Sequence, residues 1–236
     1  MVGYPIDGEG IWCQVFAHQP SSGGAAALFL DRDGVIVEEV EYLHRVEDIV
    51  LIEGAATVTA AANRRNVPVV LVSNQSGVGR GYYGWTEFAA VQQAMVSALA
   101  AQGARIDAVY ACPYHVDGRS PYAHPDHPAR KPNPGMLLRA ARALALDLGR
   151  SWLVGDKATD IEAARCAGLA GALQVETGHG RREREAAAAL ARPGFEVRFG
   201  RSIAATLDLP ILQPQPQAKL ARSAEEFSPI RRANGR

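Results

Sequence analysis

Short apolar runs alternate with helical patterns along the middle of the chain. Continuous apolar runs of this length are typical of strands that are buried on both faces of a sheet. They predict strands at residues 26–30, 67–73, 108–111, 151–154 and 171–175. The intervening segments predict helices at residues 55–65, 86–102, 134–146 and 158–167. Strands that alternate with helices imply right-handed crossovers, so we expect an α/β fold with a mostly parallel sheet and helices on both faces.

Weaker signals mark the ends of these elements. Gly103 and Gly168 stand where helix C-caps belong, and Thr86 is a candidate N-cap. A further strand and helix are predicted at residues 195–199 and 202–207. The alternation therefore extends to about residue 207.

The two ends of the chain break the alternation. Residues 1–24 show no clear period and end in Ser-Ser-Gly-Gly, which is typical of a flexible lead-in. From residue 210 the chain is rich in Pro, Gln and charge, which favours a surface or disordered tail. We therefore expect an N-terminal extension at 1–24, one α/β domain at 25–209 and a C-terminal tail at 210–236.

Composition limits the partners of the chain. Its 236 residues are 47% hydrophobic, which is enough for one sizeable core. The 25 basic and 25 acidic residues give a formal net charge of zero. Nothing here indicates binding to nucleic acid or to an anionic membrane, so we expect a small-molecule partner. No apolar run approaches the roughly 20 residues of a membrane-spanning helix.

Cysteine usage and the N-terminal sequence bear on the compartment. Cys13, Cys112 and Cys166 are widely spaced and odd in number, which argues against a disulfide framework. Asp7 and Glu9 lie where a secretory signal would need a basic and then an apolar stretch. We expect a soluble cytoplasmic protein, with a monomer slightly favoured over an oligomer.

Two aspartates, Asp31 and Asp33, follow the first predicted strand. Ligands of open α/β sheets bind at the carboxyl ends of the strands. The two carboxylates point to the same side only if the backbone turns, and Gly34 permits such a turn. An aspartate there can be a nucleophile, a metal ligand or a group that caps the loop. Asp156 adds a third carboxylate after another strand. Converging carboxylates call for a divalent cation, and a small number of oxygen ligands favours Mg²⁺.

Groups suited to a phosphoryl ligand occur in the same strand-end positions. Ser73 and Asn74 supply a hydroxyl, an amide and backbone N–H groups, and Lys131 supplies a positive charge. Such groups hold the non-bridging oxygens of a transferring phosphoryl group. Each also has an ordinary structural explanation, because Ser-Asn after a strand is commonly a turn and Lys before Pro is commonly a solvated loop residue. Their order and their placement favour the functional interpretation.

Four segments together resemble a known superfamily. They are DRDGV from Asp31, SNQSG from Ser73, RKPNPG from Arg130 and GDKATD from Gly155. The set is similar to the four motifs of the haloacid-dehalogenase-like (HAD) superfamily of aspartate-nucleophile phosphatases. The longer stretches DRDGVIVEEVEYLHRVEDIVLIEG, SNQSGVGRGYY, CPYH, RKPNPGML and GDKATDIEAA resemble the branch of heptose bisphosphate 7-phosphatases and histidinol-phosphatases. The resemblance covers about residues 26–180 and implies a three-layer Rossmann-like fold, here without a large cap domain because no large insertion is present.

The resemblance implies roles for the carboxylates. It makes Asp31 the nucleophile that becomes an aspartyl phosphate, and Asp33 the general acid and then the base that activates water. Asp31 and Asp156 through their carboxylates, and Asp33 through its backbone carbonyl, are the implied Mg²⁺ ligands. Asp160 either supports the metal or caps the following helix, and capping is slightly favoured.

The resemblance also implies contacts to the substrate. The residues assigned to the phosphoryl oxygens are Ser73, Asn74 and Lys131. Arg80 and Arg130 are similar to the residues that contact the rest of a phosphorylated sugar in this branch, and their forks suit a second phosphate. Tyr42 and His44 either line the entrance or anchor its loop.

One loop departs from the branch, whose members often carry a zinc site of the form CxH followed by CxC just before RKP. Here Tyr114 stands at the usual histidine position, and no cysteine precedes Arg130 closely. A set of one cysteine and three histidines could still bind zinc tetrahedrally. That set is Cys112, His115, His124 and His127. Four prolines stiffen the same loop, and a loop without zinc is the favoured interpretation.

Three classes of function remain open. The leading one is a Mg²⁺-dependent phosphomonoesterase for a small phosphorylated metabolite, first D-glycero-D-manno-heptose 1,7-bisphosphate, which loses its 7-phosphate, and second histidinol phosphate. A nucleic-acid end phosphatase is disfavoured by the zero net charge. A non-catalytic phosphosugar-binding protein is disfavoured because every chemical group for catalysis is present.

Overall fold

Seven strands form one sheet in the computed structural model, which describes residues 3–16 and 24–213. The strands are β1 Trp12–Val15, β2 Leu28–Leu30, β3 Val69–Asn74, β4 Ala108–Cys112, β5 Trp152–Gly155, β6 Gly171–Val175 and β7 Glu196–Gly200. The α-helices are α1 Ala55–Arg64, α2 Ser76–Arg80, α3 Trp85–Ala100, α4 Gly135–Leu144, α5 Ala158–Cys166 and α6 Gly180–Ala188. Short 3₁₀ helices lie at Val46–Asp48, Leu148–Arg150, Ile203–Asp208 and Pro210–Leu212. The predictions for residues 17–23 and 214–236 lie outside the described residues.

The central strand of the sheet is β2. The spatial order is β1-β4-β3-β2-β5-β6-β7, with β1 antiparallel to β4 and all other neighbours parallel. Residues 28–30 pair with residues 69–71 on one side and with residues 152–154 on the other. Because β2, β3 and β5 run in the same direction, the segments that follow them emerge at the same edge of the sheet. That edge carries the candidate site.

Helices cover both faces of the sheet, and the sheet divides the apolar core into two layers. Leu30 points into the layer that contains Phe88 of α3, whereas Phe29 points into the layer that contains Ile161 of α5. Successive strand residues therefore face opposite apolar layers, which is why the central strands read as continuous apolar runs. The prediction of a three-layer α/β fold is confirmed.

Two parts of the structure correct the expectations for the chain ends. β1 lies within residues 1–24, which we had expected to be a lead-in without regular structure, and it adds an edge strand to the sheet. It is only four residues long and Val15 is exposed, so it lacks the apolar run of a central strand. At the other end, Leu212 belongs to the expected tail but is buried in the core.

Helix boundaries and helix number also differ from the sequence prediction. α3 begins at Trp85, where Glu87 accepts a hydrogen bond from the N–H of Gly84 at 2.9 Å, so the prediction that Thr86 is the N-cap was wrong. α2 and α6 were not predicted. α2 is a single short turn with glycines, and α6 is rich in charge with few apolar positions.

The connections around the site are short. Within the described residues, β2 and α1 are joined by residues 31–54, whose only regular element is the 3₁₀ helix Val46–Asp48, so no cap domain is inserted there. In the same part of the chain, no helix combines the length and the apolar character needed to cross a membrane.

Candidate active site

Four buried charged residues lie at the carboxyl edge of the central strands, and we call them the charged floor. Its members are Asp31, Lys131, Asp156 and Asp160. The Nζ of Lys131 lies 2.8 Å from Asp31 Oδ1 and 2.7 Å from Asp160 Oδ1, and it donates to the carbonyl of Val72 at 2.8 Å. Burial alone would lower the pKa of Lys131, but the carboxylates of Asp160 and Asp31 outweigh it and raise that pKa. The ammonium is therefore held in its charged form beside the predicted nucleophile.

The charged floor carries more negative than positive charge. Carboxylate oxygens of Asp31, Asp156 and Asp160 lie within 4.8 Å of one another. Burial, followed by the charges of Asp31 and Asp160, raises the pKa of Asp156 to about 8. Oδ1 of Asp156 is buried and has no hydrogen-bond partner, while Oδ2 accepts from the N–H of His179 at 2.8 Å. A buried carboxylate oxygen without a donor, next to two further carboxylates, fits a divalent cation with oxygen ligands.

Two glycines shape the space around Asp156. A Cβ on Gly34 would lie 2.7 Å from Asp156 Oδ2, and a Cβ on Gly178 would lie 2.3 Å from the same atom. Both residues have positive φ, +79° and +59°. Any side chain at either position would therefore strain the backbone and displace the carboxylate.

Asp160 serves two purposes in the structure. Its Oδ2 accepts the N–H of Lys157 at 3.0 Å, which caps α5, and its Oδ1 pairs with Lys131. The favoured capping role of Asp160 is thus combined with a direct contact to the charged floor. Burial raises the pKa of Asp160, and the nearby charge of Lys131 opposes that shift.

Asn74 is placed by the structure against the backbone of Lys131. Its Nδ2 donates to the carbonyl of Lys131 at 2.9 Å, and its Oδ1 accepts the N–H of Lys131 at 3.0 Å. The side chain therefore braces the lysine that faces Asp31. The hydroxyl of Ser73 accepts a hydrogen bond from Gln75 at 2.6 Å.

Two adjoining cavities, which share four lining residues, lie over these groups. The inner chamber, about 300 Å³, is lined by Asp31, Ser73, Arg130, Lys131, Thr159 and Asp160. The outer chamber, about 230 Å³, includes Glu39, Tyr42, Gln75, Tyr83 and His179 in its lining. The residues that line both are Asp33, Asn74, Ser76 and Lys157. The arrangement suits a ligand with one phosphoryl group in the inner chamber and its remainder in the outer one.

The two arginines assigned to substrate lie in different settings. Arg130 lines the inner chamber and donates to the carbonyl of Tyr114 at 2.9 Å. Arg80 donates to the hydroxyl of Tyr42 at 2.8 Å and pairs with Asp117 at 3.0 Å. The fork of Arg80 is thus already engaged, although the Asp117 side chain is 69% exposed and offers only weak competition to a phosphate.

Residues 113–129, which we call the aromatic loop, stand beside Arg130. The ring of Tyr114 stacks on His127 with centroids 3.8 Å apart and an interplanar angle of 2°. The Tyr114 hydroxyl donates to the carbonyl of Glu9 at 2.8 Å, and Trp85 donates to the Tyr122 hydroxyl at 3.0 Å. Aromatic packing and the N-terminal segment therefore hold this loop in place.

The candidate zinc ligands do not form a metal site. Among the described residues, two clusters of ligand atoms are close enough to share a cation, and their members are Asp31, Asp156 and Asp160 in one and Glu39, Asp156 and His179 in the other. Neither contains Cys112, His115, His124 or His127. Nδ1 of each of these histidines accepts a backbone N–H two residues further on, at 3.0, 3.1 and 3.1 Å. Burial raises the pKa of the Cys112 thiol to about 11 in the absence of a metal ion. The donor set as placed does not fit zinc.

Several site residues had been given no role from the sequence. Arg32, Gln75 and Lys157 lie within the quoted motifs but between the residues to which roles had been assigned. His179 follows β6, the next strand along the same edge, so the strand-end rule applied to β6 would have found it. Glu39, 3.5 Å from the His179 ring and 3.6 Å from Lys157, had no sequence signal because it belongs to a loop.

Comparison with known proteins supports the interpretation of this geometry. A family model described as HAD-hydrolase-like matches residues 128–198. The D-glycero-β-D-manno-heptose-1,7-bisphosphate 7-phosphatase of Mesorhizobium japonicum is 43% identical over 195 residues, which are 83% of this chain and 85% of that protein. The chain belongs to the heptose bisphosphate phosphatase family of HAD-like hydrolases. It is accordingly a phosphoric monoester hydrolase, and the predicted family is confirmed.

Other members of the family extend the comparison. The D-glycero-α-D-manno-heptose-1,7-bisphosphate 7-phosphatase of Burkholderia mallei is 40% identical over 166 residues, 70% of this chain and 88% of that protein. The crystal structure of a HAD-like phosphatase from Mesorhizobium loti superposes with a TM-score of 0.79 at 40% identity, and covers 89% of this chain and 95% of that one. A D,D-heptose 1,7-bisphosphate phosphatase from B. bronchiseptica, complexed with magnesium and phosphate, has a TM-score of 0.66 at 31% identity, with coverage of 78% and 96%.

Proposed function

We propose that this phosphatase removes the 7-phosphate of D-glycero-D-manno-heptose 1,7-bisphosphate in a Mg²⁺-dependent reaction through an aspartyl phosphate on Asp31. The observation that carries the proposal is the charged floor, where a buried lysine contacts Asp31 and a partnerless oxygen of Asp156 lies among three carboxylates. The names of the relatives suggest the sugar, and the two adjoining chambers offer room for a substrate longer than its phosphoryl group.

Asp31 and Asp33 divide the chemistry between them. A carboxylate oxygen of Asp31 attacks phosphorus, and the bond from phosphorus to the sugar oxygen breaks while Asp33 gives that oxygen a proton. In the second half, Asp33 takes a proton from the water that attacks the aspartyl phosphate. Inorganic phosphate leaves, and Asp31 and Asp33 return to their starting forms.

The cation and the positively charged side chains would stabilise the negative charge of the phosphoryl oxygens. Asp31 and Asp156, together with the backbone carbonyl of Asp33, are the residues that would hold Mg²⁺, which supplies charge neutralisation at the phosphoryl oxygens. Lys131 and Ser73 line the inner chamber and are placed to bind those oxygens. Asn74 contributes by bracing the Lys131 backbone.

The rest of the substrate faces the outer part of the site. Arg130 is the proposed contact to the phosphorylated sugar, because it lines the inner chamber and is half-buried beside it. Arg80 remains a proposed second contact, and a phosphate there would have to displace the exposed carboxylate of Asp117.

A substrate panel with and without Mg²⁺ tests the proposal. We expect kcat/KM for heptose 1,7-bisphosphate to exceed that for histidinol phosphate by about 100-fold, and EDTA to abolish phosphate release from both. The α and β anomers are assayed separately, because relatives of both kinds match the chain. A preference for histidinol phosphate would overturn the substrate assignment, and no release from any phosphate monoester would overturn the enzyme assignment.

A further inference from the structure

Asp33 lies at the junction of the two chambers. It lines both the inner chamber, which contains Asp31, and the outer chamber, which contains Tyr42. A phosphate monoester whose phosphoryl group contacts Asp31, and whose alcohol extends outwards, has its bridging oxygen close to this junction. The orientation of the Asp33 carboxylate therefore decides whether a proton reaches the leaving oxygen.

Three donors fix that carboxylate. Arg32 donates from Nε to Asp33 Oδ1 at 3.0 Å and from Nη2 to Oδ2 at 3.0 Å. Gln75 donates from Nε2 to Oδ2 at 3.1 Å. Oδ2 thus accepts two of these hydrogen bonds and Oδ1 accepts one, and Nη2 of Arg32 also lies 2.9 Å from Oδ1, so both oxygens of the carboxylate are held.

The donors are themselves fixed by the core. Arg32 is 1% exposed, and its guanidinium lies 5.6 Å from the ring centroid of Phe88. The hydroxyl of Tyr83 donates to Gln75 Oε1 at 2.6 Å, and Arg32 donates to the same oxygen at 3.2 Å. The amide of Gln75 therefore cannot flip without losing partners, and its Nε2 must face Asp33 and Ser73.

Packing alone does not explain these residue types. A buried guanidinium is strongly disfavoured unless its charge and its hydrogen bonds are satisfied, and an apolar side chain of similar volume would fill the same space at lower cost. Burial here is offset by Asp33, whose charge raises the pKa of Arg32. The arrangement concentrates fixed donors on one carboxylate that is otherwise open to both chambers.

We propose that Arg32 and Gln75 are positioning residues for proton transfer, which hold both oxygens of Asp33 and so fix the orientation of its carboxyl group towards the leaving oxygen. The proton moves from the Asp33 carboxyl group to the ester oxygen as the bond between that oxygen and phosphorus breaks and Asp31 bonds to phosphorus. The carboxylate that remains on Asp33 is then held by the same three donors. This inference rests on the proposed function, because it needs Asp33 to be the general acid.

Leaving-group dependence separates positioning from a structural role. The alkoxide of a sugar needs a proton to leave, whereas p-nitrophenolate does not. For Gln75→Met we expect kcat on heptose 1,7-bisphosphate to fall about 10- to 100-fold, because a misplaced acid loses much of a general-acid effect. On p-nitrophenyl phosphate we expect a fall of less than about threefold. Tyr83→Phe, which frees the Gln75 amide but conserves volume, should show the same selectivity with a smaller loss.

Gln92→Met is the matched control, because Gln92 is a buried glutamine of α3 outside both chambers. It should change kcat on the two substrates by equal factors. Equal losses on both substrates for Gln75→Met and Tyr83→Phe, with unchanged melting temperatures, would overturn the positioning role. The proposed function fails separately, if the wild-type enzyme releases no phosphate or if Asp31→Asn retains activity.

Discussion

The charged floor and the aromatic loop form neighbouring parts of one site but are held by different interactions. In the charged floor, a single lysine contacts two carboxylates at 2.8 and 2.7 Å, and a third carboxylate has an oxygen without a partner. The aromatic loop is held by a stacked ring pair and by hydrogen bonds to backbone atoms. The first arrangement is incomplete without a cation, whereas the second is satisfied within the chain. The comparison separates a part of the site whose buried donors fit a cation from a part whose donors, as placed, are satisfied by the chain itself.

The largest effect is expected from Asp31→Asn. The amide cannot form the acyl phosphate, so we expect kcat to fall by about 10⁴-fold or more. The substitution also removes one of the three converging negative charges, so thermal unfolding in EDTA should occur at an equal or higher temperature than for the wild type. A phosphate-release assay with scanning calorimetry checks both parts, and residual turnover near the wild-type rate would contradict the nucleophile assignment.

Lys131→Met should affect both stability and activity. Without the ammonium, the buried carboxylates of Asp31 and Asp160 lose their shared partner, and we expect the free energy of unfolding to fall by about 3–5 kcal/mol. Denaturant unfolding measures this change. Lys157→Met is the matched control, because Lys157 is 37% exposed and lies 3.6 Å from Glu39, so its loss should cost under about 1 kcal/mol. An equal loss in the free energy of unfolding for the two variants would contradict the greater contribution assigned to the buried ion pair.

The metal-free protein should lose stability as pH rises. Burial and the neighbouring carboxylates raise the pKa of Asp156 in the folded state from its ordinary value of 3.8 to about 8, so the folded state binds the proton more tightly than the unfolded state. Its contribution is present in full below about pH 4 and is lost by about pH 8, at up to ~1.4 kcal/mol per pH unit. Urea unfolding in EDTA across this range measures the slope. Asp156→Asn should flatten it, and a slope that is the same in the variant would contradict the assignment.

The smallest effects are expected in the aromatic loop. Tyr114→Phe loses only the hydrogen bond to Glu9, so the free energy of unfolding should fall by about 1 kcal/mol. Tyr114→Leu also loses the stack on His127, which adds about 0.5–1.5 kcal/mol. Denaturant unfolding gives both numbers, and neither should change when a zinc-selective chelator is added in excess Mg²⁺. Stoichiometric zinc in the purified protein, measured by mass spectrometry, would contradict this account of the loop.

The central fold could be predicted from the sequence because β2 to β6 are buried on both faces, and such strands stand out as apolar runs. β6 is the clearest case, since its observed bounds, Gly171–Val175, match the predicted residues 171–175. The edge strand β1 escaped prediction because only Trp12 of its four residues is buried. α6 escaped because its sequence GRREREAAA has too few apolar positions to define a face.

For the candidate site, too, the sequence predicts some features and not others. The strand-end rule predicts that Asp31, Ser73 and Asp156 approach one another, and the structure brings them to one edge of the sheet. Which partner each side chain selects depends on tertiary geometry that no local pattern encodes. Asn74 shows this, because its amide spans the Lys131 peptide 57 residues further along the chain. The roles of these residues in catalysis stay predictions until the variants are measured.

The pairing of β1 with β4 limits when this edge of the sheet can assemble during synthesis. Trp12 lies opposite Ala111 in the sheet, so β1 leaves the ribosome about a hundred residues before its partner β4. The carbonyl of Glu9 waits equally long for the hydroxyl of Tyr114. During synthesis the aromatic loop beside Arg130 therefore follows its contact at Glu9 by about a hundred residues, so this side of the site is completed only after both segments have been translated.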